Sequence, residues 1–584
     1  MAAKSKSFLL KPIKLIASFI ALFLVSHISF ASQQNDNQAL EQSIYQLVDL
    51  RQLDNEIFSK ALKTNNVELQ INALHGLGRI GGETIIPLVS PFLNHSNEQI
   101  RQYAALALGL SGSTKAGPVL WQALEKEESD LVKHEIYLSL GNLGPENKVK
   151  DQPDQMTFVK QMLNQTRLES SDKAKASIFH GITLSLLFHP NKDADFAFID
   201  YKTLLSQLNK KPAYSSELAL FLSRIPDVQK YISGKEFLST VQQDYDDLTT
   251  IYLLKLAAKI TANKQDENRE ILAWILPKAE SKNLGIKVEA ARAMINLVDF
   301  TQTQIQLGKM QGSDHPIISQ TALKVLADSD LNDGHVIRLF KDQLKHKNPA
   351  MVVEAINGLI KRQKKDDMSW GLKIFQHPSD YVKIKYMQAL SNLKDEDFSN
   401  LFNLFAKAPQ PAVSKYAKSL LTDKKEKDST KAVTPDYQQI RSVFGQKILF
   451  KTTAGEFTIQ LLQDAPYTSW NFYQSVKSGF YDAAYFNRVI GNFVVQGGDP
   501  IGDGEGTNSL IIREEINLLE HVPMSVGIAT DGKDTGSSQF FINTTRNIHL
   551  DRRYTIFAKV ISGQDVVYRI AHGDRIVSAE VLAE

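Results

Sequence analysis

The sequence predicts a multidomain protein in which an all-α repeat array precedes a compact, strand-rich domain. From residue 40 to residue 421, apolar residues recur with the 3.6-residue period of helices, in units that repeat every 31 to 32 residues. From Gln446 onward the period changes to two, which is typical of strands. The 584 residues are also too many for one compact domain.

The composition excludes several classes of site and partner. There is no cysteine, so disulfides, zinc–thiolate centres and thiol nucleophiles are excluded. The formal charge is +2, but four lysines fall within the first 31 residues, where there is no acid. The remainder has no excess of basic residues, so we expect no nucleic-acid partner. The histidines of the array lack the spacing of metal ligands, so we predict no metal site there.

The first segment, residues 1–31, is predicted to be a secretory signal peptide. Its four lysines precede an apolar stretch from Leu15 to Val25, and the small-x-small sequence Ser29-Phe30-Ala31 follows. An uncleaved anchor is the alternative, but a membrane-spanning helix needs about 20 apolar residues and this stretch is shorter. We therefore expect cleavage after about Ala31, an exported, periplasmic mature chain, and no membrane span in that chain.

The repeat array, residues 40–421, is predicted from recurring helical units. Each unit begins at a polar turn, continues as a helix rich in Ala and Leu, and is expected to break at a glycine. The first three turns and glycines are Asn66 and Gly78, Ser96-Asn97 and Gly109, and Ser129-Asp130 and Gly141. Such a unit cannot bury its apolar face alone and must stack on its neighbours. This pattern resembles the HEAT-repeat family of α-solenoids, which implies a surface for a protein partner.

Two parts of this region are less regular. Residues 148–244 show the helical period poorly, which fits either degenerate repeats or an interruption of the stack. Residues 422–441 begin with ten residues that include no apolar side chain. We therefore expect a charged, solvated linker that offers reach but no packing surface. The apolar stripes of the array are interpreted as solenoid core alone.

The C-terminal domain, residues 442–584, begins with a predicted hairpin. Ile448 and Phe450 alternate with polar residues, a turn follows at Ala454-Gly455, and Phe457 resumes the alternation. Pro466 then opens a helix that ends at Gly479. Strand-like segments separated by glycines follow this helix, which indicates a compact β-rich domain.

Several blocks of this domain resemble the cyclophilin family of peptidyl-prolyl isomerases. The blocks are Ala465-Pro466-Tyr467-Thr468-Ser469-Trp470-Asn471-Phe472, the run from Phe486-Asn487-Arg488 through Phe493-Val494-Val495-Gln496-Gly497-Gly498-Asp499-Pro500, Gly536-Ser537-Ser538-Gln539-Phe540-Phe541-Ile542, and Phe557-Ala558-Lys559-Val560. The resemblance implies a closed eight-stranded β-barrel with two capping helices. It also implies isomerisation of X-Pro bonds without a cofactor or metal.

The resemblance also implies a set of site residues. Arg488 would be the catalytic hydrogen-bond donor, Gln496 would hold the substrate carbonyl, and Phe493 would complete the catalytic group. The substrate-binding residues would be Val494, Phe541 and Leu550 in the proline pocket, Ala529 and Thr530 through their backbone, and His549 and Tyr554 at its edge. The alternatives are a surface ion pair for Arg488, and simple barrel core for Phe493 and Phe541.

This sequence departs from the family pattern at four positions. Asn487, His549, Val494 and Thr530 stand where the family often has histidine, tryptophan, methionine and asparagine. The change at His549 is expected to weaken binding of the cyclic inhibitor cyclosporin, without a loss of isomerase activity. Asn487 and Thr530 leave the donor and the pocket intact.

The leading functional hypothesis is an exported peptidyl-prolyl isomerase whose HEAT-like repeats bind its clients or a partner. Its clients would be proline-containing polypeptides. The alternative is an interaction scaffold or holding chaperone, with a barrel that binds proline segments but is weakly active. A binding module has no need of a catalytic donor, so the presence of Arg488 favours the isomerase.

Overall fold

The computed structural model describes two compact units, one up to Glu127 and one from Glu128 onward. The predicted signal peptide and most of the predicted linker lie outside the described residues. These are 36–143, 155–188, 195–263, 266–332, 334–362, 370–393, 397–422, 431–432, 437–504, 506–508 and 510–583.

The first unit is helical throughout. Its helices are α1 (36–49), α2 (Asn55–Leu62), α3 (Val67–Ile80), α4 (Ile86–Val89), α5 (Glu98–Leu110) and α6 (Ala116–Leu124), with 3₁₀ turns at Glu83–Ile85 and Ser90–Asn94. Helix α3 packs against both α2 and α5. The prolines at positions 87 and 91 fall at helix starts, where no backbone donor is lost.

The second unit begins with a long series of helices. They are α7 (Asp130–Leu143), α8 (Gln155–Leu168), α9 (Asp172–Phe188), α10 (Tyr201–Leu208), α11 (Ser215–Arg224), α12 (Gly234–Thr240), α13 (Asp247–Ile260), α14 (Asn268–Ile275), α15 (Leu284–Ala293), α16 (Thr301–Gln311), α17 (Pro316–Asp328), α18 (Gly334–Gln343), α19 (Pro349–Arg362), α20 (Gly371–Phe375), α21 (Asp380–Ser391), α22 (Ser399–Phe405) and α23 (Pro411–Leu421). Short 3₁₀ turns occur at Val228–Lys230, Leu276–Glu280 and Ile295–Leu297.

The odd-numbered helices of this unit form one continuous layer. Each packs against the next, from α7 through α9, α11, α13, α15, α17, α19 and α21 to α23. The stack therefore continues through residues 148–244 as far as they are described. Of the two possibilities for that stretch, degenerate repeats are what the structure shows.

Polar side chains fix where the helices begin. Asn66 and Asn97 cap α3 and α5, each accepting a backbone hydrogen bond through its side-chain oxygen. Ser129 does the same for Val132 at the start of α7, at 3.3 Å. The three predicted starting turns are confirmed.

The glycines of the repeats do not break the helices, and that part of the prediction is wrong. Gly78, Gly109 and Gly141 lie within α3, α5 and α7. A methyl group added at Gly141 would lie 2.2 Å from the carbonyl oxygen of Gly181 on α9. Glycine is thus required at this position because two helix backbones approach closely.

The rest of the second unit, as far as it is described, contains an eight-stranded antiparallel barrel and two short strands that pair outside it. Its ten strand segments are β1 (Lys431–Ala432), β2 (Lys447–Thr452), β3 (Gly455–Leu461), β4 (Arg488–Ile490), β5 (Val494–Gly497), β6 (Leu510–Ile511), β7 (Ser525–Ile528), β8 (Phe540–Asn543), β9 (Ile556–Ser562) and β10 (Ile576–Val581). The main sheet has the order β10-β2-β3-β9-β7-β8-β5-β4, while β1 and β6 pair separately in parallel. In the predicted hairpin, Phe450 pairs with Phe457 as expected.

The sheet curls until its two ends meet. The backbone N–H of Ile576 donates to Ala484, and that of Ala483 donates to Ile576, at 2.9 and 2.8 Å. The helices of this part of the chain are α24 (Tyr437–Arg441), α25 (Pro466–Lys477) and α26 (Gln564–Arg569), of which α25 and α26 pack on the barrel strands. The rings of Phe450, Phe472 and Phe540 pack together in the core, tilted or perpendicular to one another. The predicted fold class, a HEAT-like solenoid followed by a barrel with two capping helices, is confirmed.

The barrel is packed against the helical layer of its own unit. Glu135 of α7 and Arg552 of the barrel form an ion pair of 2.8 Å with side chains 1% and 3% exposed. Further contacts run along the layer: the ring Nε2 of His180 with the Ile548 carbonyl (2.8 Å), Tyr252 to the Arg546 carbonyl (3.1 Å), Asn492 to Glu289 (3.3 Å), Tyr381 to the Asn487 carbonyl (3.3 Å) and Gln388 to the Asp503 carbonyl (2.8 Å). These array residues are therefore more than solenoid core.

Within the described ranges, no helix combines the length and the apolar character needed to cross a bilayer.

Candidate active site

The hairpin of β4 and β5 places the predicted donor beside its predicted partner. In the strand register Arg488 lies opposite Gln496, and Arg488 Nη1 donates to Gln496 Oε1 at 3.3 Å. The guanidinium carbon also lies 5.4 Å from the centre of the Phe493 ring. Partial burial lowers the pKa of Arg488 from its ordinary value, while nearby Tyr554 acts in the opposite sense. The guanidinium stays charged and has exposed N–H groups to offer.

The residues predicted to line the proline pocket lie next to this arginine. Val494, Phe541 and Leu550 form a buried cluster, and Phe493, Ala529 and Tyr554 pack against it half-exposed. The Tyr554 ring stands perpendicular to the Phe541 ring, with centres 5.8 Å apart. The structure thus brings these six predicted residues together in one place.

Thr530 and His549 lie at the margins of the pocket. Thr530 directly follows Ala529 after β7 and is half-buried. The His549 ring stacks on Phe493 with centres 5.3 Å apart and planes 20° from parallel. Burial, aided by the nearby charges of Arg224 and Lys255 on the array, holds the pKa of His549 well below its usual range. The imidazole is therefore neutral at pH 7 and presents an aromatic edge.

Sequence reasoning assigned no role to Gln539, which connects the site to a neighbouring loop. Its Oε1 accepts from Gln496 Nε2 at 3.1 Å, and its Nε2 donates to the carbonyls of Gly504 and Gly506 at 2.8 and 3.1 Å. Gln539 lies within the block Gly536–Ile542 that resembles the cyclophilin family, and this resemblance was the sequence signal that could have indicated its role. Its amide fixes the orientation of Gln496.

A buried charge cluster supports the loop that carries His549 and Leu550. Asp551 accepts hydrogen bonds from the His521 backbone at 2.8 Å and from Arg546 Nη1 at 3.1 Å. Burial alone would raise the pKa of Asp551, but Arg546 and His521 hold it well below its usual range. Asn547 also donates to the Phe493 carbonyl at 2.9 Å. This network is spread over many positions in the sequence, so no local motif signalled it.

The two alternatives raised for these residues can be compared with the geometry. Arg488 bonds to the neutral amide of Gln496, and Phe493 is half-exposed beside it. Both arrangements are suited to substrate contact. The roles of the individual residues stay predictions, as does the absence of a metal. In the described part of the chain, no group of three or more acidic or histidine side chains is placed to hold a metal ion.

An antiparallel barrel with an arginine beside a cluster of apolar side chains fits the class of X-Pro isomerase domains. Comparison with known proteins agrees. Residues 447–582 match the family described as cyclophilin-type peptidyl-prolyl cis-trans isomerase, and residues 55–141 match HEAT repeats. The chain belongs to the cyclophilin family through its C-terminal region.

Three relatives illustrate the extent of the similarity. It is 41% identical over 138 residues to peptidyl-prolyl cis-trans isomerase 9 of Schizosaccharomyces pombe, a match of 23% of each chain. It is 39% identical to peptidyl-prolyl cis-trans isomerase-like 1 of Rhizopus delemar and 41% identical to a peptidyl-prolyl cis-trans isomerase of Helicobacter pylori. These two matches cover 21% and 22% of this chain, and 79% and 82% of the relatives. The similarity to the first relative therefore covers less than a quarter of its length, and concerns the barrel.

Proposed function

We propose that the chain is an exported isomerase that accelerates cis–trans isomerisation of X-Pro bonds in polypeptide clients. The observation that carries this proposal is the position of Arg488, hydrogen-bonded to Gln496 and next to the apolar cluster of Val494, Phe541 and Leu550. The HEAT-like array would hold clients or a partner near this site. The first 31 residues would direct export to the periplasm and be removed.

The mechanism follows from the chemistry of the amide. The uncatalysed barrier is about 18–20 kcal/mol, because the C–N bond loses resonance when it twists. In the twisted state the proline nitrogen regains a basic lone pair, which a fixed cationic donor stabilises more than it stabilises the planar amide. Arg488 supplies that donor.

The neighbouring residues hold the substrate while the bond rotates. An amide nitrogen carries two donors, so Gln496 can bind a substrate carbonyl while it donates to Gln539. The ring of proline would occupy the pocket of Val494, Phe541 and Leu550, out of contact with water. No nucleophile is required, and we expect activity to survive chelation of metal ions.

The test is the isomerisation rate of a short X-Pro peptide with the full mature chain, measured by exchange spectroscopy. Arg488→Ala is expected to lower kcat/KM by about one to three orders of magnitude, the usual effect of removing one preorganised donor. Arg575 is a matched control, since its guanidinium carbon also lies 5.4 Å from an aromatic centre, that of Tyr485, outside the pocket. Arg575→Ala should leave the rate unchanged.

Two outcomes would contradict the proposal. A wild-type chain without activity would favour the scaffold or holding chaperone, and full activity in Arg488→Ala would remove the assigned donor. Export is tested separately by sequencing the N-terminus of the protein recovered from the periplasmic fraction. An intact Met1 would contradict cleavage.

A further inference from the structure

A cavity of about 410 Å³ lies between the array and the barrel, directly beside the predicted donor. Its wall on the array side is built from α15, α17 and α19, and its wall on the barrel side from Arg488, Val489, Ile490, Gly491 and His572. The volume falls within the range of ligand-binding clefts. Because Arg488 borders both the cavity and the apolar pocket, the two are neighbouring parts of one surface.

The array side of the cavity contains a buried carboxyl group with an unused acceptor. Glu354 of α19 is 4% exposed, and its Oε1 accepts from Gln320 Nε2 of α17 at 3.1 Å. Its Oε2 has no hydrogen-bond partner among the described residues, although Lys324 Nζ lies 4.0 Å away. Burial raises the pKa of Glu354, and Lys324, Gln320 and the Asn357 side chain offset this only in part. Buried polar atoms are normally paired, so this one is suited to a ligand that brings its own polar group.

The remaining lining has the mixed character of a peptide-binding surface. Ile317, Val325 and Val353 supply apolar wall around the polar floor of Gln320 and Glu354. Two of the cations that line the cavity are already paired, Lys324 with Asp328 at 3.0 Å and Arg292 with Glu289 at 3.3 Å. The third, Arg488, is the predicted donor for the proline nitrogen. A neutral group that can hydrogen-bond, such as a backbone amide or a Ser, Thr, Asn or Gln side chain, fits this balance better than an ion.

The order of strands gives the direction in which a bound client runs. The resemblance places Ala529, at the end of β7, against the residue ahead of proline. Strands β8 and β5 separate β7 from β4, which carries Arg488. A client chain whose residue ahead of proline lies at β7 therefore crosses the pocket toward β4. The residues that follow proline then lie beside β4 and at the cavity.

We propose that this cavity binds the client residues that follow the isomerised proline, and that Glu354 and Gln320 are specificity-determining residues for them. The array then contributes directly to substrate recognition, and favours uncharged polar residues just after proline. This inference rests on the proposed function, since it assigns a substrate to the same active site.

The experiment compares two peptides on the full mature chain. One ends directly after the residue that follows proline, and the other continues for about six uncharged polar residues. The extended peptide is expected to have a kcat/KM about tenfold higher, the effect of one additional hydrogen bond to a buried group. Glu354→Leu should abolish the ratio between the two peptides. The same substitution at exposed Glu270 on α14 is the matched control, and should preserve it.

The outcomes separate this inference from the proposed function. Absence of activity on both peptides would refute the isomerase itself. Two results would overturn only the assignment of the cavity. One is an equal kcat/KM of the wild type for the short and the extended peptide, and the other is a ratio between the two peptides that persists in Glu354→Leu. If Glu354→Leu fails to fold, the wild-type chain is tested instead with a peptide that carries a photo-crosslinking residue three positions after proline. Crosslinks to α17 or α19 support the assignment, and crosslinks to the barrel alone overturn it.

Discussion

Gln539 shows how much of the site depends on a residue to which the sequence assigned no role. We expect Gln539→Leu to lower kcat/KM by about tenfold, because Gln496 loses its acceptor and the carbonyls of Gly504 and Gly506 lose their donor. The measurement is kcat and KM for a short X-Pro peptide. If Gln539 only positions Gln496, KM rises more than kcat falls.

Gln460 on β3 provides the control for this prediction. Its side chain donates to the Gly445 carbonyl at 3.3 Å on the far side of the barrel from the site residues in the strand order. Gln460→Leu should leave both constants unchanged. Equal losses in the two variants would mean that general destabilisation explains the effect.

At the scale of single residues, the sequence predicted contiguous motifs well and predicted contacts between distant positions poorly. Arg488, Phe493 and Gln496 lie within nine residues of one another, so the resemblance to the cyclophilin family covered all three in one short motif. The partners of Asp551 come from positions 521 and 546, and Glu135 meets Arg552 across 417 residues of chain. No period or motif records a contact made only when distant elements fold together.

At the scale of helices, the small residues of the repeats determine how closely neighbours approach. We expect Gly141→Ala to destabilise the second unit by about 1–3 kcal/mol, the usual effect of overpacking, because the new methyl would meet the Gly181 carbonyl. The measurement is the midpoint of urea unfolding, followed by circular dichroism.

The same substitution at Gly308 separates packing from helix propensity. Gly308 lies in α16, is exposed, and has open space where a methyl would be added. Gly308→Ala should stabilise by about 0.5–1 kcal/mol, since alanine loses less backbone entropy on folding. Destabilisation at both positions would contradict the explanation by close helix crossing.

The sequence predicted the period of these helices but misread the reason for the glycines. A glycine two residues from the end of a helical pattern is also a typical stop signal. Only the partner helix distinguishes the two roles, and its position depends on the stack. The polar turns were recognised correctly, because Asn66 and Asn97 cap their helices through local contacts.

At the scale of the whole molecule, buried histidines make the second unit sensitive to acid. Burial lowers the pKa of His134 to about 4, that of His572 to about 3, and that of His180 well below its usual range. The unfolded chain binds protons at these histidines below a pH of about 6.5, whereas the folded unit does not. Stability should therefore be full above that pH and fall as the pH decreases toward 4.

His134 alone is expected to account for about 2 kcal/mol of this loss at pH 5. The measurement is unfolding by urea at a series of pH values for the wild type and for His134→Gln. The variant should show a shallower decline between pH 7 and 5. An identical decline would mean that other groups account for the acid sensitivity.

The ion pair of Glu135 and Arg552 joins the barrel to the array through two buried charges. Either substitution alone, Glu135→Leu or Arg552→Met, is expected to destabilise by about 3–5 kcal/mol, because it leaves one buried charge unpaired. The double variant should regain part of the loss, but less than all of it, since Arg552 also donates to the Asn517 and Leu519 carbonyls at 3.2 Å.

Urea unfolding of the wild type, the two single variants and the double variant gives the coupling energy. The kcat/KM of Glu135→Leu for a short peptide then shows whether the array also shapes the pocket. Arg552 follows His549 and Leu550 by only a few residues, so we expect kcat/KM to fall along with stability. If it stays at the wild-type value, α7 holds the barrel in place without shaping the pocket. Additive effects of the two substitutions would mean that Glu135 and Arg552 do not stabilise each other.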